Sequence, residues 1–250
     1  MSNITVTLKD HMGSDLTTVN AARVSFGKQS QAVAWGYYAY EDGSRSGDLI
    51  AALDEKDQKL IRYLAKHKHL SPFGHAFASF HVKAPIFVAR QLVKHKFLRW
   101  NEVSRRYVDD EPEFYVPDVW RGRSADKKQG SEGVVELGFF NTEGDRFEGH
   151  FGEGTLAEVV SQYPQDTLGL YEALILAGVA PEQARMVLPQ STMTEWWWSG
   201  SLDAWASMCK LRCAPDTQYE SRVVADQISE VMGDLFPVSW AALMENQGTK

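Results

Sequence analysis

The chain has little of several features that mark particular classes of protein. It has only two cysteines, Cys209 and Cys213, which lie four residues apart in a predicted helix with no second Cys or His pair nearby, so a zinc site is not indicated. No stretch approaches about 18 uninterrupted apolar residues, and the first residues lack the basic start and apolar run of a signal peptide. We therefore expect a cytoplasmic protein that does not enter a membrane, with reduced and unreactive buried thiols.

The sequence also lacks a GxGxxG motif after a predicted strand, so a Rossmann cofactor fold is not indicated. It has the composition of an ordinary globular protein: 250 residues, 44% hydrophobic and 24% charged, with a formal net charge of −7. We predict one domain over residues 1–250. Glycines are concentrated among polar residues at about 122–154, which predicts a surface excursion there.

Hydrophobic periodicity predicts an α/β fold built on one sheet with helices packed on it. Strands are predicted at 4–8 and 76–84, and residues 191–199 form a strand or an aromatic wall, with Trp196, Trp197 and Trp198 packing in a core or interface or else stacking on the ring of a ligand. Helices are predicted from Asp15 towards Arg23, from about 48 to 64, from Pro85 onward, at 155–177, from Pro181 to before Pro189, at 201–213, from Thr217 to Leu235, and at 237–244. Asp15 is expected to cap the first helix, Thr217 and Glu220 to form a capping box, and residues 27–47 to be irregular.

Residues 91–107, QLVKHKFLRWNEVSRRY, concentrate positive charge within an acidic chain. They contain Lys94, His95, Lys96, Arg99, Arg105 and Arg106 against one acid, Glu102. Three interpretations compete: a solvated charged face, a strip that contacts nucleic acid with Phe97 and Trp100 as stacking surfaces, or a site for a small polyanion such as a nucleotide phosphate. The interspersed Gln, Asn, Glu, Ser and Tyr favour a polar ligand, and the net charge of −7 disfavours nucleic acid.

The same segment resembles the flavin-dependent thymidylate synthases, the ThyX family, in which an Arg-His-Arg triplet is followed after seven residues by Ser. Here the triplet is Lys94-His95-Lys96, and Ser104 stands at that distance. Further blocks similar to the family, in the family order, are AARVSF (21–26), KHKHLSPFGH (66–75), FHVKAPIFVARQ (80–91), NEVSRRY (101–107), EFY (113–115), ARMVLP (184–189) and the pair Arg212 and Gln218. The resemblance therefore covers most of the chain.

The resemblance implies an α+β domain with a central, mostly antiparallel sheet flanked by helices, assembled as a homotetramer with active sites between subunits. It implies FAD as cofactor, NADPH and methylenetetrahydrofolate as co-substrates, and methyl transfer to C5 of dUMP giving dTMP. The residues that it implies for dUMP are Gln91, Lys94, Glu102, Ser104, Arg105, Arg106, Arg185 and Arg212. Those that it implies for FAD are Ser71, Lys94, His95, Lys96, Asn101 and Glu102, and it assigns catalytic roles to Arg212, beside the uracil, and to His69, near the flavin ring. No metal is implied.

The chain departs from the family pattern at several of these places. Lys94 and Lys96 keep the charge of the two arginines but not their bidentate fork. Gly74 stands where the family commonly has Glu, and Ser201 and Asp203 stand where it has Asn and Arg. These departures motivate an alternative product, such as a hydroxymethylated pyrimidine, or dCMP as substrate. A non-catalytic nucleotide or nucleic-acid binder is the alternative from another class.

Overall fold

The computed structural model describes residues 3–39, 45–107, 110–125, 130–138 and 155–245. Its strands are β1 (Thr5–Met12), β2 (Ala34–Ala39), β3 (Arg45–Ala52), β4 (Phe77–Pro85), β5 (Arg99–Glu102), β6 (Trp120–Arg123), β7 (Ser131–Val135) and β8 (Met193–Ser201). Its helices are α1 (Asp15–Arg23), α2 (Glu55–Lys66), α3 (Ile86–Leu92), α4 (Leu156–Leu176), α5 (Pro181–Ala184), α6 (Leu202–Arg212), α7 (Tyr219–Leu235) and α8 (Pro237–Glu245). None of these helices has the length and apolar character that a membrane crossing requires.

An antiparallel sheet of four strands, in the order β1-β4-β8-β5, forms the centre of the fold. β4 alternates as its sequence predicts, because Ala78, Phe80, Val82 and Ala84 are all buried while the residues between them are partly exposed. This arrangement confirms the predicted fold class, a central antiparallel sheet with helices.

The chain divides into two compact units, each built from separated segments. The first unit comprises Met1–Ile4, Lys83–Gln91 and Glu102–Glu195, and the second comprises Thr5–Val82, Leu92–Asn101 and Trp196–Lys250. In the first unit, Leu168, Tyr171 and Ala184 form a small core between α4 and α5.

Indole rings fill the core of the second unit. Trp100 stacks on Trp196 at a centroid distance of 4.4 Å, and Trp198 meets Trp205 edge to face at 4.9 Å. Trp205 also donates from Nε1 to the carbonyl of Ala78, so its polar atom is satisfied inside the core. The core-packing interpretation is therefore confirmed for Trp196 and Trp198, whereas the Trp197 side chain is 46% exposed. Since Trp100 is packed against the core, it does not serve as the free stacking surface of a nucleic-acid strip.

The prediction for residues 27–64 was partly wrong. Residues 27–47 were expected to be irregular, but β2 and β3 pair as an antiparallel hairpin with Ala34 opposite Ala52 and Gly36 opposite Ile50. The apolar residues near 50 belong to β3, and the helix starts only at Glu55, where the Asp54 carboxylate accepts from the Asp57 N–H as an N-cap. Local periodicity favoured a helix because the residues that pair with Leu49 to Ala52 lie 12 to 18 positions away in the sequence.

Two predicted helix caps were also wrong. Ser14, not Asp15, is the N-cap of α1, and the Asp15 carboxylate instead accepts from the N–H groups of Val238 and Ser239 at 2.9 Å, at the start of α8. Thr217 does not form the expected capping box, because its hydroxyl donates to the carbonyl of Leu211. Both residues satisfy backbone groups outside the helix that they were expected to cap.

The remaining helix predictions from 155 onward were confirmed, with shifts of one or two residues at the ends. α4 begins after Thr155, whose hydroxyl accepts from the Glu158 N–H while the Glu158 carboxylate accepts from the Thr155 N–H. The predicted excursion at 122–154 contains a short hairpin of β6 and β7. Residues 126–129 and 139–154 of that excursion lie outside the described part of the chain.

Candidate active site

A cavity of about 610 Å³ lies within the first unit. Three of the residues assigned to the nucleotide by resemblance line it: Glu102 at the end of β5, Arg105 in the turn that follows, and Arg185 in the short 3-10 helix after α5. The structure thus brings together side chains that are up to 83 positions apart in the sequence. Lys83 at the end of β4 and Arg90 on α3 line the same cavity.

The basic residues of this cavity differ in how far carboxylates neutralise them. Lys83 is paired with Glu113 at 2.5 Å and with Glu195 at 3.8 Å, so its charge is compensated. Arg105 donates from Nη1 to the carbonyl of Asp110 at 2.8 Å, and Arg185 donates from Nε to the carbonyl of Glu182 at 3.2 Å. Carbonyl partners orient a guanidinium without cancelling its charge. Both arginines therefore keep a full positive charge and free N–H groups for an anion.

Arg90 is the third arginine of the cavity, and it has no ion pair or hydrogen bond among the residues that the structure describes. Sequence analysis gave Arg90 no role, because the resemblance supplied other arginines for the nucleotide. The available signal was its place beside Gln91 in the family-like block at 80–91. Lys83 and Thr194, which donates to Glu102 at 3.0 Å, were missed because nothing local marks them.

Three further predicted residues belong to the first unit, and the cavity lining does not include them. Arg106 donates from Nε to the Ser104 hydroxyl at 3.2 Å, and its guanidinium lies 4.9 Å from the ring centroid of Tyr107. Ser104 therefore acts as an acceptor that orients Arg106. The side-chain oxygen of Gln91 is buried with no hydrogen-bond partner among the described residues. An unsatisfied buried acceptor of this kind suits a ligand N–H.

The second unit brings together Arg212, the last residue of α6, and His95, in the turn after α3. Arg212 donates from Nε to Nε2 of His95 at 2.9 Å, and both side chains are partly buried. Burial, and then the charge of Arg212, lower the pKa of His95 to about 4. Burial also lowers the pKa of Arg212 below its usual value. At neutral pH the imidazole is therefore neutral and accepts the hydrogen bond.

The other predicted flavin residues of the second unit are exposed. Ser71, Lys94, Lys96 and Asn101 all lie at the surface, and neither lysine has a partner among the described residues. His69 follows α2, and its ring is nearly parallel to that of Tyr63 at 6.2 Å. Exposed, unpaired ammonium groups two residues apart fit the diphosphate of a dinucleotide.

Two of the residues that depart from the family pattern, Ser201 and Asp203, contact each other at the start of α6. Ser201 precedes the helix, and its hydroxyl donates to the Asp203 carboxylate at 2.6 Å in the first turn. A carboxylate in the first turn interacts favourably with the positive end of the helix dipole. The negative charge of Asp203, which stands where the family has Arg, therefore stabilises the start of α6. Gly74 has no atom within 4 Å of the position that a Cβ would take.

Comparison with known proteins shows that the sequence and fold of this chain are similar to those of nucleotide-methylating enzymes. Residues 7–238 match the family model described as thymidylate synthase complementing protein. The chain is 37% identical over 241 residues to a flavin-dependent thymidylate synthase of Thermus thermophilus, covering 96% of this chain and 76% of that one. It is 33% identical over 238 residues to a flavin-dependent thymidylate synthase of Thermosipho melanesiensis, covering 95% and 89%.

Two solved structures of one methylase are also similar. The UMP/dUMP methylase PolB from Streptomyces cacaoi bound with 5-Br dUMP is 31% identical, with a TM-score of 0.71 over 98% of this chain and 96% of that one. The same methylase bound with 5-Br UMP is 29% identical, with a TM-score of 0.69 over 98% and 95%.

Proposed function

Because the chain belongs to the flavin-dependent thymidylate synthase family, we propose that it transfers a methyl group to C5 of dUMP, giving dTMP. The proposed cofactor is FAD, the proposed one-carbon donor is methylenetetrahydrofolate, and the proposed reductant is NADPH. The observation that best supports the assignment is the cavity of the first unit, where Arg90, Arg105 and Arg185 keep their charge. The lining also includes six carboxylates, but these three arginines form no ion pair with them among the described residues, so their guanidinium groups suit the phosphate of a mononucleotide.

The nucleotide phosphate is proposed to bind to Arg105 and Arg185 in the cavity. Arg106, oriented by Ser104, adds a further charge-assisted donor. Gln91 offers its unsatisfied buried oxygen to a ligand N–H, and Glu102 and Lys94 complete the proposed dUMP contacts. The protein thereby fixes the nucleotide, and it need not supply a nucleophile of its own.

Arg212 is proposed to act on the pyrimidine ring. C5 must become nucleophilic before it takes up a one-carbon unit, and ionisation at N3 raises the electron density of the ring. A guanidinium held against the ring stabilises that anion as it forms. The alternative, addition of a cysteine thiolate to the ring, is disfavoured because burial and the neighbouring Cys213 raise the pKa of the Cys209 thiol well above its usual value.

The side chains of the second unit fit a flavin by their chemistry. Lys94, Lys96, Ser71 and Asn101 would hold its diphosphate and polar edges, with His95 and His69 as further proposed contacts. Glu102, which the resemblance also implies for FAD, belongs to the first unit. When bound, the flavin supplies the hydride that reduces the transferred one-carbon unit to a methyl group. The lysines bind as point charges, so we expect FAD affinity to fall with rising salt.

The assignment is tested by incubating the purified protein with FAD, NADPH, methylenetetrahydrofolate and dUMP and identifying the product by mass spectrometry. We expect dTMP, and we expect NADPH oxidation to accelerate when dUMP is present. A hydroxymethylated nucleotide, or turnover of dCMP alone, would replace the proposed reaction with one of its alternatives. Absence of flavin binding at micromolar FAD would contradict it altogether.

A second candidate substrate is UMP. The similarity to a methylase crystallised with both 5-Br dUMP and 5-Br UMP favours it, since the fold accommodates either nucleotide in that protein. The same assay with UMP in place of dUMP separates the two, because the methylated products differ by the mass of one oxygen. A kcat/KM for UMP comparable to that for dUMP would identify the protein as active on both.

We also propose a homotetramer whose active sites form between subunits. Large apolar side chains exposed on the single chain support an interface; Phe97, Tyr107, Leu176 and Met186 are each more than three-quarters exposed, at 82%, 78%, 87% and 79%. Three of the four belong to family-like blocks or lie beside the predicted anion-binding residues. Sedimentation analysis gives the assembly size directly.

A further inference from the structure

The hydrogen bond between Arg212 and His95 is unusual in the acceptor that it uses. Most buried or half-buried arginines pair with a carboxylate, which cancels their charge. Here the acceptor is the Nε2 atom of an imidazole at 2.9 Å, and Arg212 has no carboxylate partner among the described residues. The contact therefore restrains the guanidinium but leaves its charge uncompensated.

The position of the contact on the guanidinium also matters. His95 engages Nε, the nitrogen nearest the chain, and neither terminal nitrogen has a partner in the part of the chain that the structure describes. Fixing Nε restricts rotation of the guanidinium plane, so the two terminal groups point in a defined direction with their donors free. Such a fork is preorganised to meet two neighbouring acceptors, such as the N3 and O2 atoms of a uracil that has lost its N3 proton.

We propose that His95 is a positioning residue for Arg212, and that it orients the guanidinium towards the pyrimidine while preserving its full charge. This inference rests on the proposed function of Arg212. It gives His95 a role that differs from the flavin contact implied by the family resemblance. His95 is well suited to that role because it lies three residues after the end of α3, and its backbone N–H donates to the Leu92 carbonyl, which fixes the turn.

The first experiment tests the contact in the protein without nucleotide. In the nitrogen-15 spectrum of the imidazole groups, His95 is expected as the neutral tautomer with hydrogen on Nδ1, and its Nε2 resonance is expected to shift in Arg212→Lys. A protonated His95 near neutral pH, or a tautomer with hydrogen on Nε2, overturns the proposal because Nε2 would then not be an acceptor. This result does not depend on any substrate.

The second experiment measures what the contact does to a bound nucleotide. 5-Bromo-dUMP is the probe, because its ionisation at N3 changes the ultraviolet spectrum and the electron-withdrawing bromine favours it. We expect His95→Ala to lower the N3-ionised fraction of the bound probe and to lower kcat by about 10- to 100-fold, while changing the Kd of the probe little. His95→Gln, which retains an acceptor near the position of Nε2, is expected to restore most of the N3-ionised fraction and most of kcat.

The double variant decides whether His95 acts through Arg212. If it does, His95→Ala has little further effect on ionisation in the Arg212→Lys background. Equal additional losses in both backgrounds, or normal ionisation in His95→Ala, overturn the proposal. A raised Kd for FAD with unchanged N3 ionisation would instead make His95 a flavin contact only. If the unmodified protein does not bind 5-bromo-dUMP, the proposed function fails, and the nitrogen spectrum still decides on the positioning contact.

Discussion

Hydrogen-bond and ion-pair partners distinguish the arginines of the cavity, which have no carboxylate partner among the described residues, from Lys83, which is paired with Glu113 and Glu195. Arg105, Arg185 and Arg212 were found because they match family positions, and the structure places the first two on one cavity. Arg90 was not found, because the sequence does not show whether a carboxylate from a distant part of the chain pairs with an arginine. The pairing of Lys83 with Glu113 and Glu195 is equally non-local. Side-chain partners, more than residue types, separate a binding cation from a structural one.

Replacing Arg90 by Gln tests whether the third arginine of the cavity contributes to nucleotide binding. We expect the Kd for dUMP to rise about 10- to 150-fold, since a charge-assisted hydrogen bond to phosphate contributes about 1.5 to 3 kcal/mol. Isothermal titration measures it. Arg62→Gln is the matched control, because Arg62 is an exposed helical arginine bonded only to Gln58 among the described residues. If Arg90→Gln and Arg62→Gln bind dUMP with the same Kd, Arg90 does not contribute to nucleotide binding.

The proposed roles of Arg106 and Arg212 predict different kinetic defects. Arg106→Ala should raise the Kd for dUMP by about tenfold or more, because a phosphate donor is lost. Arg212→Lys should retain flavin binding and cut turnover at saturating dUMP, because an ammonium cannot reproduce the fork that stabilises a ring anion. Binding titrations and single-turnover rates separate the two. Normal binding in Arg106→Ala with normal turnover in Arg212→Lys would reject both assignments.

At the scale of elements, the sequence predicted best where the determinants are local. The alternation of β4 and the extent of α4 each depend on patterns within the segment itself, and both were predicted correctly. The hairpin of β2 and β3 was missed because strand pairing depends on a partner segment. Asp15 was assigned to the wrong helix because its true partners, Val238 and Ser239, are more than 220 positions away.

Gly200 on β8 controls the segment that follows the Lys-His-Lys triplet. A Cβ there would lie 2.3 Å from a Leu98 methyl carbon and 3.3 Å from the Phe97 carbonyl oxygen, and Leu98 is buried. Gly200→Ala is expected to cost about 1 to 3 kcal/mol of unfolding free energy and to weaken FAD binding, because that segment must move. Gly169→Ala in α4, where no atom lies within 4 Å, should be neutral or stabilising. Denaturant unfolding and FAD titration of both variants provide the comparison.

Asp15 links the start of α8 to α1 and makes stability depend on pH. Asp15→Ala should cost about 1 to 3 kcal/mol, because two backbone N–H groups lose their acceptor, whereas the exposed Asp216→Ala should cost little. Burial, the largest influence, raises the pKa of Asp15. The native state therefore binds this proton more tightly than the unfolded chain does.

It follows that the stability contributed by Asp15 is largest at low pH and declines as pH rises from about 4 through the raised pKa. Comparison of wild type with Asp15→Asn, which does not titrate, isolates this effect. The unfolding free energy of the wild type minus that of Asp15→Asn should be greater at pH 4 than at pH 7. A difference that grows towards pH 7 would mean that the N–H donors outweigh burial and that Asp15 is stabilised as a carboxylate.

At the scale of the whole molecule, the fold class followed from periodicity, but the strand order β1-β4-β8-β5 did not. The neighbouring strands β4 and β8 begin 116 positions apart, at Phe77 and Met193, and no local pattern specifies which distant strands become neighbours. The same limit applies to the site. Gln91, Ser104 to Arg106 and Arg185 belong to the first unit, whereas His95 and Arg212 belong to the second.

Mixed oligomers of two defective chains test the proposal that active sites form between subunits. Arg106→Ala and Arg212→Lys each remove one part of the proposed site. If a site takes Arg106 from one subunit and Arg212 from another, random mixing of equal amounts leaves about a quarter of the sites with both residues intact. Co-expressed variants should then recover about that fraction of wild-type dTMP synthesis. If both residues come from the same subunit, every site carries one defect, and the mixture stays as slow as the average of the separate variants.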